Sequence, residues 1–363
     1  MTTIQEVARR AGVSTATVSR YLRGEPVRSQ EAIRRTVQEL GYSPRAAARS
    51  LRTGIAYAIA VVVPDVTNPF FAALVKGIES VFRPGPYSVF LANTDESSEV
   101  EEAVLADVGK RVDGIILVPA TEEAATRSYV HETALPLVLV DRELPQDGYD
   151  SVLVDNYAGA RTAARYLIGL GHSAIAMISG PLNTTPGRER FEGFSSELAE
   201  HGIEPPPAYM QVSDFREPGG YSAMLALLAL TEPPTAVFCA NNLMTVGALK
   251  ALKAMRVQVP AKMSLIGFDD LDLAPLLKPP LTVIDRPTVK QGVLSARLLL
   301  SRLDRADGAE PQRIVLPTKL VERGSCSPPT ASWSMKASSG APGTPGGERP
   351  DRAPSRQRHR PEA

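Results

Sequence analysis

The chain has 363 residues, 43% of them hydrophobic and 22% charged, with 40 basic and 40 acidic side chains. That is the make-up of two or three ordinary globular domains. No apolar run approaches the ~20 residues of a bilayer span, the opening MTTIQEVARRAG has no apolar signal core, and two cysteines make neither a disulfide framework nor a zinc site. A cytoplasmic protein without metal or cofactor is the expectation. The zero net charge hides an asymmetry: residues 1–54 carry +6, residues 55–326 carry −9 and residues 327–363 carry +3. A small basic head on an acidic body fits a head that meets a polyanion.

Ile4, Val7, Ala8 and Ala11 fall on one face of a helix. Thr3 sits at its N-cap and Glu6 at the capping-box position. Gly12-Val13 turns the chain, and Ser14 caps a second helix running from Thr15 to about Arg23, with Val18 and Leu22 inward. This is helix-turn-helix spacing. A third helix, about Ser29 to Leu40, adds Ile33, Val37 and Leu40 to a small core. The second helix would lie in the major groove. Ala16 and the methyl of Thr15 suit a thymine methyl, Arg20 forks onto guanine, and Ser14, Thr17 and Ser19 are short donors for phosphate oxygens. A helical bundle that binds protein is the alternative.

Residues 43–52, SPRAAARSLR, begin with a capping Ser43 and Pro44 and propagate through Ala46, Ala47 and Ala48. The helix is too short to stand alone. Leu51, between Arg49 and Arg52, fits a wedge into the minor groove, or else a linker with one packed leucine.

Beyond residue 55, apolar runs alternate with helical segments: 58–63, 88–92, 114–118, 137–140, 151–154, 174–178, 236–240, 264–268 and 281–284. Continuous apolar strands alternating with helices mean parallel sheets covered on both faces. Nine strands suggest two Rossmann-like lobes. Polar residues follow the strands: Asp65, Asn93, Asp141, Arg142, Asn241, Asn242, Asp269, Asp270, Asp285 and Arg286. Ligands of open α/β sheets bind beyond such carboxyl ends, so two facing lobes make a cleft for a small polar molecule. Residues 327–363, with seven Pro and four Gly, read as a disordered tail. Gly169 to Ala174 fits G-x-G-x-x-A but follows a helix, the reverse of a dinucleotide fingerprint.

The motifs TIQEVARRAGVSTATVSRYL (3–22), LGYSPRAAARSLRTG (40–54), VVVPDVTNPFF (61–71), VDR (140–142), GRERFEGF (187–194), CANNLMTVGAL (239–249) and SLIGFDD (264–270) resemble those of the lac repressor (LacI/GalR) family of bacterial regulators, over about residues 2–324. The resemblance implies an all-α helix-turn-helix head (1–43), a hinge helix (44–54) and a two-lobed α/β body like the type I periplasmic binding proteins (55–326). The first lobe would comprise about 55–156 and 285–312, and the second about 157–284 and 313–326. It further implies a homodimer on a near-palindromic double-stranded operator, touched by Thr3, Ser14, Thr15, Ala16, Thr17, Ser19, Arg20, Ala48, Leu51 and Arg52. The effector would be a sugar or sugar derivative held by Asn68, Phe70, Phe71, Asp141, Arg142, Arg190, Phe215, Asn241, Asp269 and Arg286. Phe rings stack on sugar faces, and Asp, Asn and Arg bond adjacent hydroxyls.

Each of these residues has a plainer reading. Phe70 and Phe71 are also core candidates, and Arg142 and Arg190 are also salt-bridge candidates. Three departures stand out: Asn242 where the family usually has Asp, a stretch between Val27 and Leu40 about two residues short, and Arg286 where a Gln is common. If Arg142, Arg190 and Arg286 converge, the effector carries a carboxylate or phosphate; otherwise Arg286 pairs Asp285 or Asp141. The alternatives in function are a regulator answering to a protein partner or a purine, and a sugar-processing enzyme with a DNA-binding head. No catalytic constellation appears, and no heptad after Arg323 suggests a coiled-coil tetramer.

Overall fold

A computed structural model describes residues 3–22, 25–42, 55–122, 128–130, 132–144, 148–304 and 310–330. The hinge segment and the tail beyond residue 330 lie outside the described residues.

The head is three helices: α1 (Ile4–Arg10), α2 (Thr15–Leu22) and α3 (Gln30–Glu39). Glu6 N donates to Thr3 Oγ1 at 3.3 Å, closing one half of the capping box. The Glu6 carboxylate turns instead to Arg9, at 2.8 Å. Gly12 takes φ +67° at the turn, where a side chain would be strained. Val7, Ala8, Val18 and Ile33 form the core, with Ile4, Leu22, Val37 and Leu40 packed around it.

The body begins with β1 (Ala58–Val63), α4 (Pro69–Phe82), β2 (Ser88–Asn93), α5 (Ser98–Val108), β3 (Gly114–Leu117), β4 (Leu137–Val140) and β5 (Asp150–Val154). It continues through α6 (Asn156–Gly169), β6 (Ile175–Ser179), α7 (Thr185–Glu200), β7 (Met210–Val212), α8 (Glu217–Leu228), β8 (Ala236–Cys239), α9 (Asn242–Ala254), β9 (Ser264–Phe268) and β10 (Thr282–Asp285). It ends with α10 (Thr288–Asp304), β11 (Arg313–Leu316) and β12 (Lys319–Val321). Two six-stranded sheets result, in the orders β11-β5-β4-β3-β1-β2 and β12-β10-β9-β8-β6-β7. All pairings are parallel except β10 with β12. Within each lobe the five leading strands share one doubly wound order, so the first strand of each lies at a switch point where a crevice opens.

The chain crosses between lobes three times: after β5, after β10 and between β11 and β12. After the second crossing, α10 returns to lobe one and packs on α4. The helices approach so closely that a methyl on Gly77 would run into Val289 O, and one on Gly292 into Leu74 O.

The nine strands read from the sequence are present. Three more, β7, β11 and β12, were not read there. One boundary needs correction: residues 313–316, placed in lobe two by the sequence reading, form β11 against β5 in lobe one. A second correction concerns β2. It is an edge strand with Phe90 56% and Leu91 50% exposed, so lobe one's sheet is not covered on both faces there.

Candidate functional site

Two surfaces carry the residues singled out in the sequence. On the head, Ser14, Thr15, Ala16 and Arg20 are exposed along α2, and Thr17 and Ser19 are half-buried. Ser14 Oγ accepts from Thr17 N at 3.2 Å and lies 2.9 Å from Thr17 Oγ1. The Ser14–Thr17 pair thus retains one hydroxyl proton for an outside acceptor. Arg20 Nε lies 3.1 Å from Glu25 Oε2, an exposed pair that opens at little cost. Thr3 serves as the cap of α1. Ala48, Leu51 and Arg52 lie outside the described residues.

In the body, the strand ends of the two lobes face one another. All ten body residues, Asn68, Phe70, Phe71, Asp141, Arg142, Arg190, Phe215, Asn241, Asp269 and Arg286, line one small cleft, together with Glu96 and Pro186. Four cleft residues, Glu96, Asp141, Phe215 and Asp269, have φ between +58° and +71°. Non-glycine residues hold that conformation only where surrounding structure imposes it.

Local structure explains most of the placements. Asn68 caps α4, its Oδ1 accepting from Phe70 N at 3.0 Å. Phe70 and Phe71 meet edge to face with centroids 4.8 Å apart. Asn241 caps α9 through Met244 N at 2.8 Å, and its amide donates to Phe215 O at 2.8 Å, tying one cleft loop to another. The Phe215 ring packs on Gly180, where any side chain would overlap it.

The three arginines do not act alike. Arg142 is engaged through both terminal nitrogens: it holds Glu96 bidentately at 2.8 and 2.9 Å and donates from Nη1 to Pro119 O and Ala120 O at 2.9 and 2.6 Å, while its Nε is buried without a partner. Arg190 donates from Nε to Asn156 Oδ1 at 2.9 Å and from Nη1 to Ala240 O at 2.5 Å, with its guanidinium 3.6 Å from the Phe268 ring centroid. Its Nη2 is buried without a partner. Burial, outweighing the pull of Asp269, lowers its pKa to about 10, so it stays charged at neutral pH. Arg286 reaches Asp141 with Nη1 and lies 2.6 Å from Asp269 Oδ1 with Nε.

Burial favours the neutral acid at Asp141, yet Arg286, Arg190 and Arg142 together hold its carboxyl below the ordinary range. Arg286 is itself raised, its two carboxylates outweighing burial. Three guanidiniums and three carboxylates line the cleft, so it is electrically balanced. The three arginines considered from the sequence do converge on one cleft, but Arg142 and Arg286 are paired there with carboxylates, Arg286 with Asp141 as the sequence alternative had it.

Of the other strand-end residues, Asn242 lines the adjoining groove and donates to Asn68 Oδ1 across the lobes at 2.8 Å. Asp65, Asn93, Asp270 and Asp285 serve their own loops or Thr67, Val66 N, Arg323 and Lys319. Glu96 was missed, although it follows β2 as the others follow their strands. Beside the cleft, a groove of about 640 Å³ runs along α9, with Leu243, Val246, Leu249, Leu271, Leu273 and Leu277 in its lining. Among the described residues no helix is long and apolar enough to cross a membrane, and no His, Cys, Asp and Glu cluster could hold a metal ion.

Comparison with known proteins bears on both surfaces. Residues 3–45 match the bacterial regulatory proteins of the lacI family, and residues 164–326 match the periplasmic binding protein-like domain. The chain is 37% identical over 332 residues to the ribose operon repressor of Escherichia coli (strain K12), spanning 90% of this chain and all of that one. Among solved structures, the lac repressor dimer bound to operator and the anti-inducer ONPF superposes with a TM-score of 0.79 at 26% identity, covering 90% of this chain and 99% of that one. A LacI family regulator from Enterococcus faecium with bound ribose gives 0.67 at 30% identity, covering 75% of this chain and 100% of that one.

Proposed function

The chain belongs to the lacI family of bacterial regulatory proteins, and from that premise we propose that it is a cytoplasmic repressor of sugar-utilisation genes, released or engaged by a neutral sugar bound between its lobes. The family is one of transcriptional regulators, not enzymes, and the protein-partner, purine and enzyme readings are not favoured. The observation that carries the sugar reading is the cleft. Its lining combines the aromatic rings of Phe70, Phe71 and Phe215 with the buried polar side chains of Asn68, Asn241, Asp141 and Asp269. Its electrical balance speaks for a neutral polyol over a sugar acid or phosphate. The ribose-bound relative makes D-ribose the first candidate.

The head supplies phosphate affinity, and Thr15, Ala16 and Arg20 read base edges in the major groove. Leu51 wedges into the minor groove, and Ala48 and Arg52 are further DNA contacts. A homodimer pairs two half-sites; the lac repressor this chain resembles is a dimer bound to operator. The exposed Phe90 and Leu91 of β2 and the leucine-lined groove along α9 are the faces a second copy would cover.

A thermal-shift screen against neutral sugars, sugar acids, sugar phosphates and purines tests the effector class. A ligand at 100 times its Kd stabilises by ~2.7 kcal/mol, a readable shift. Stabilisation by D-ribose or another neutral sugar is the expected result, and a response to anions alone would overturn the neutral-sugar reading.

A further inference from the structure

The Arg286 guanidinium occupies the middle of the cleft. It approaches Asp141, at the end of β4 in lobe one, and Asp269, at the end of β9 in lobe two. Nη2 is 3.3 Å from Asp269 Oδ2, and the Nε contact to Oδ1 is ionic rather than an aligned hydrogen bond. The same guanidinium lies 3.6 Å from the centroid of the Phe70 ring, on a face a flat ligand would use. Among the twelve cleft residues, of which only Phe70, Asp269 and Arg286 also line the groove along α9, about 30 Å³ of free space remains with Arg286 so placed. That is room for two or three waters at ~10–15 Å³ each, far short of the ~300 Å³ at which small-molecule pockets begin.

We propose that Arg286 is a tethered occupant of the cleft: it clasps the two lobes through Asp141 and Asp269, and an effector binds only by displacing it from those carboxylates. The inference rests on the reading of the cleft as the effector site. Every nitrogen of the guanidinium already lies beside a carboxylate, and two negative charges outweigh its single positive one, so Arg286 offers an anion no net attraction. An incoming anion would instead meet Asp141 and Asp269. The groups that can take its place are neutral donors spaced to reach both carboxylates, as adjacent hydroxyls of a polyol do. Asp141 and Asp269 hold positive φ, of +67° and +71°, which keeps both carboxylates turned toward the cleft whichever donor they hold. Because binding must compete with an internal cation, the apparent affinity is reduced by the fraction of molecules in which Arg286 has swung away. Residue 286 thereby sets both the selectivity of the cleft and the effector concentration at which the lobes respond.

The test uses the full chain and D-ribose as the probe. Spin labels at the exposed Glu102 and Glu192, one on each lobe, report lobe separation without any sugar. In Arg286→Gln the separation should change and broaden, and D-ribose should bind at least tenfold more tightly than to the wild type. If Arg286→Gln does not fold, Arg286→Gln combined with Asp141→Asn removes a charge of each sign and carries the separation measurement alone. A separation unchanged from wild type overturns the proposal. Unaltered or weaker D-ribose binding by Arg286→Gln also overturns it. If no variant binds D-ribose, D-ribose fails as the effector on its own, and the label distance still decides the clasp.

Discussion

Asn242 of lobe two donates from Nδ2 to Oδ1 of Asn68 in lobe one at 2.8 Å, and both residues are buried. The amide orientations are fixed from outside the pair. Asn68 Oδ1 also accepts from Phe70 N as the cap of α4, and Asn242 Oδ1 accepts from Leu243 N. A carboxylate at 242 would therefore face an acceptor already committed to the cap. Asn68 could meet it only by turning its amide and abandoning Phe70 N. Asn242→Asp should lower stability by about 1–3 kcal/mol, the cost of one unsatisfied buried polar group. Thermal melts check this, and a double cycle with Asn68→Ala should show coupling between the two positions. An Asn242→Asp protein that melts at or above the wild-type temperature would contradict the shared-acceptor account.

Arg190, in the cleft lining, is held by Asn156, Ala240 O and the Phe268 ring, and its Nη2 is buried without a partner. A buried donor left unmade costs about 1–3 kcal/mol, which an effector oxygen would recover on binding. Arg190→Met keeps much of the side chain's bulk against Phe268 but removes that donor. Effector binding should weaken roughly 10–100-fold by that energy, while operator binding by the separate head persists. Calorimetry with the sugar identified by the screen, run beside a gel-shift assay, separates the two. Unchanged sugar affinity would make Arg190 a purely structural residue.

On the head, Arg20 must leave Glu25 to reach a base. Arg20→Ala should reduce discrimination between a selected operator and random DNA by about 1–3 kcal/mol, the worth of one bidentate contact. Glu25→Gln should act oppositely and more weakly, tightening binding to both DNAs by freeing Arg20 and removing a negative charge near the phosphates. Fluorescence anisotropy at several salt concentrations reads both effects. Full discrimination by Arg20→Ala would remove it from the reading helix's base contacts.

The parts of this fold that were legible in the sequence are those where one physical demand acts alone. Interior strands such as Ala58–Val63 are buried at every position, and that demand writes an unbroken apolar run. The edge strands β7, β11 and β12 are three or four residues long and half-exposed, so nothing in their composition sets them apart. The cleft residues were found through strand ends and motif, and all ten meet. Their partners were less legible. The sequence offered Asp285 or Asp141 for Arg286, and the fold supplies Asp141 together with Asp269, because β9 and β10 are neighbours and lobe closure brings β4 opposite them. Arg142's engagement with Glu96 depends likewise on two strand ends 46 residues apart in sequence. Periodicity carries no information on which of several nearby carboxylates an arginine will choose.

His172 gives a prediction about pH. It is buried at the end of lobe two, where Nε2 lies 2.9 Å from Ser327 O and Nδ1 lies 2.8 Å from Thr235 Oγ1. The carbonyl can only accept, so Nε2 carries the proton and Nδ1 accepts from the hydroxyl. The ring thus ties Ser327 to the sheet end while neutral. Burial lowers its pKa, against a smaller opposing effect of the Ser327 carbonyl. The unfolded histidine takes up a proton near pH 6.5 that the folded one refuses. The stability contributed by the neutral ring is therefore complete above about pH 6.5 and declines as the pH falls below it, by at most about 1.4 kcal/mol per pH unit. The wild-type Tm should fall between pH 7 and pH 5. His172→Gln keeps a donor and an acceptor without the titration, and should show a flatter profile over the same range from a lower starting Tm. Parallel slopes for the two proteins would assign the acid sensitivity to other groups.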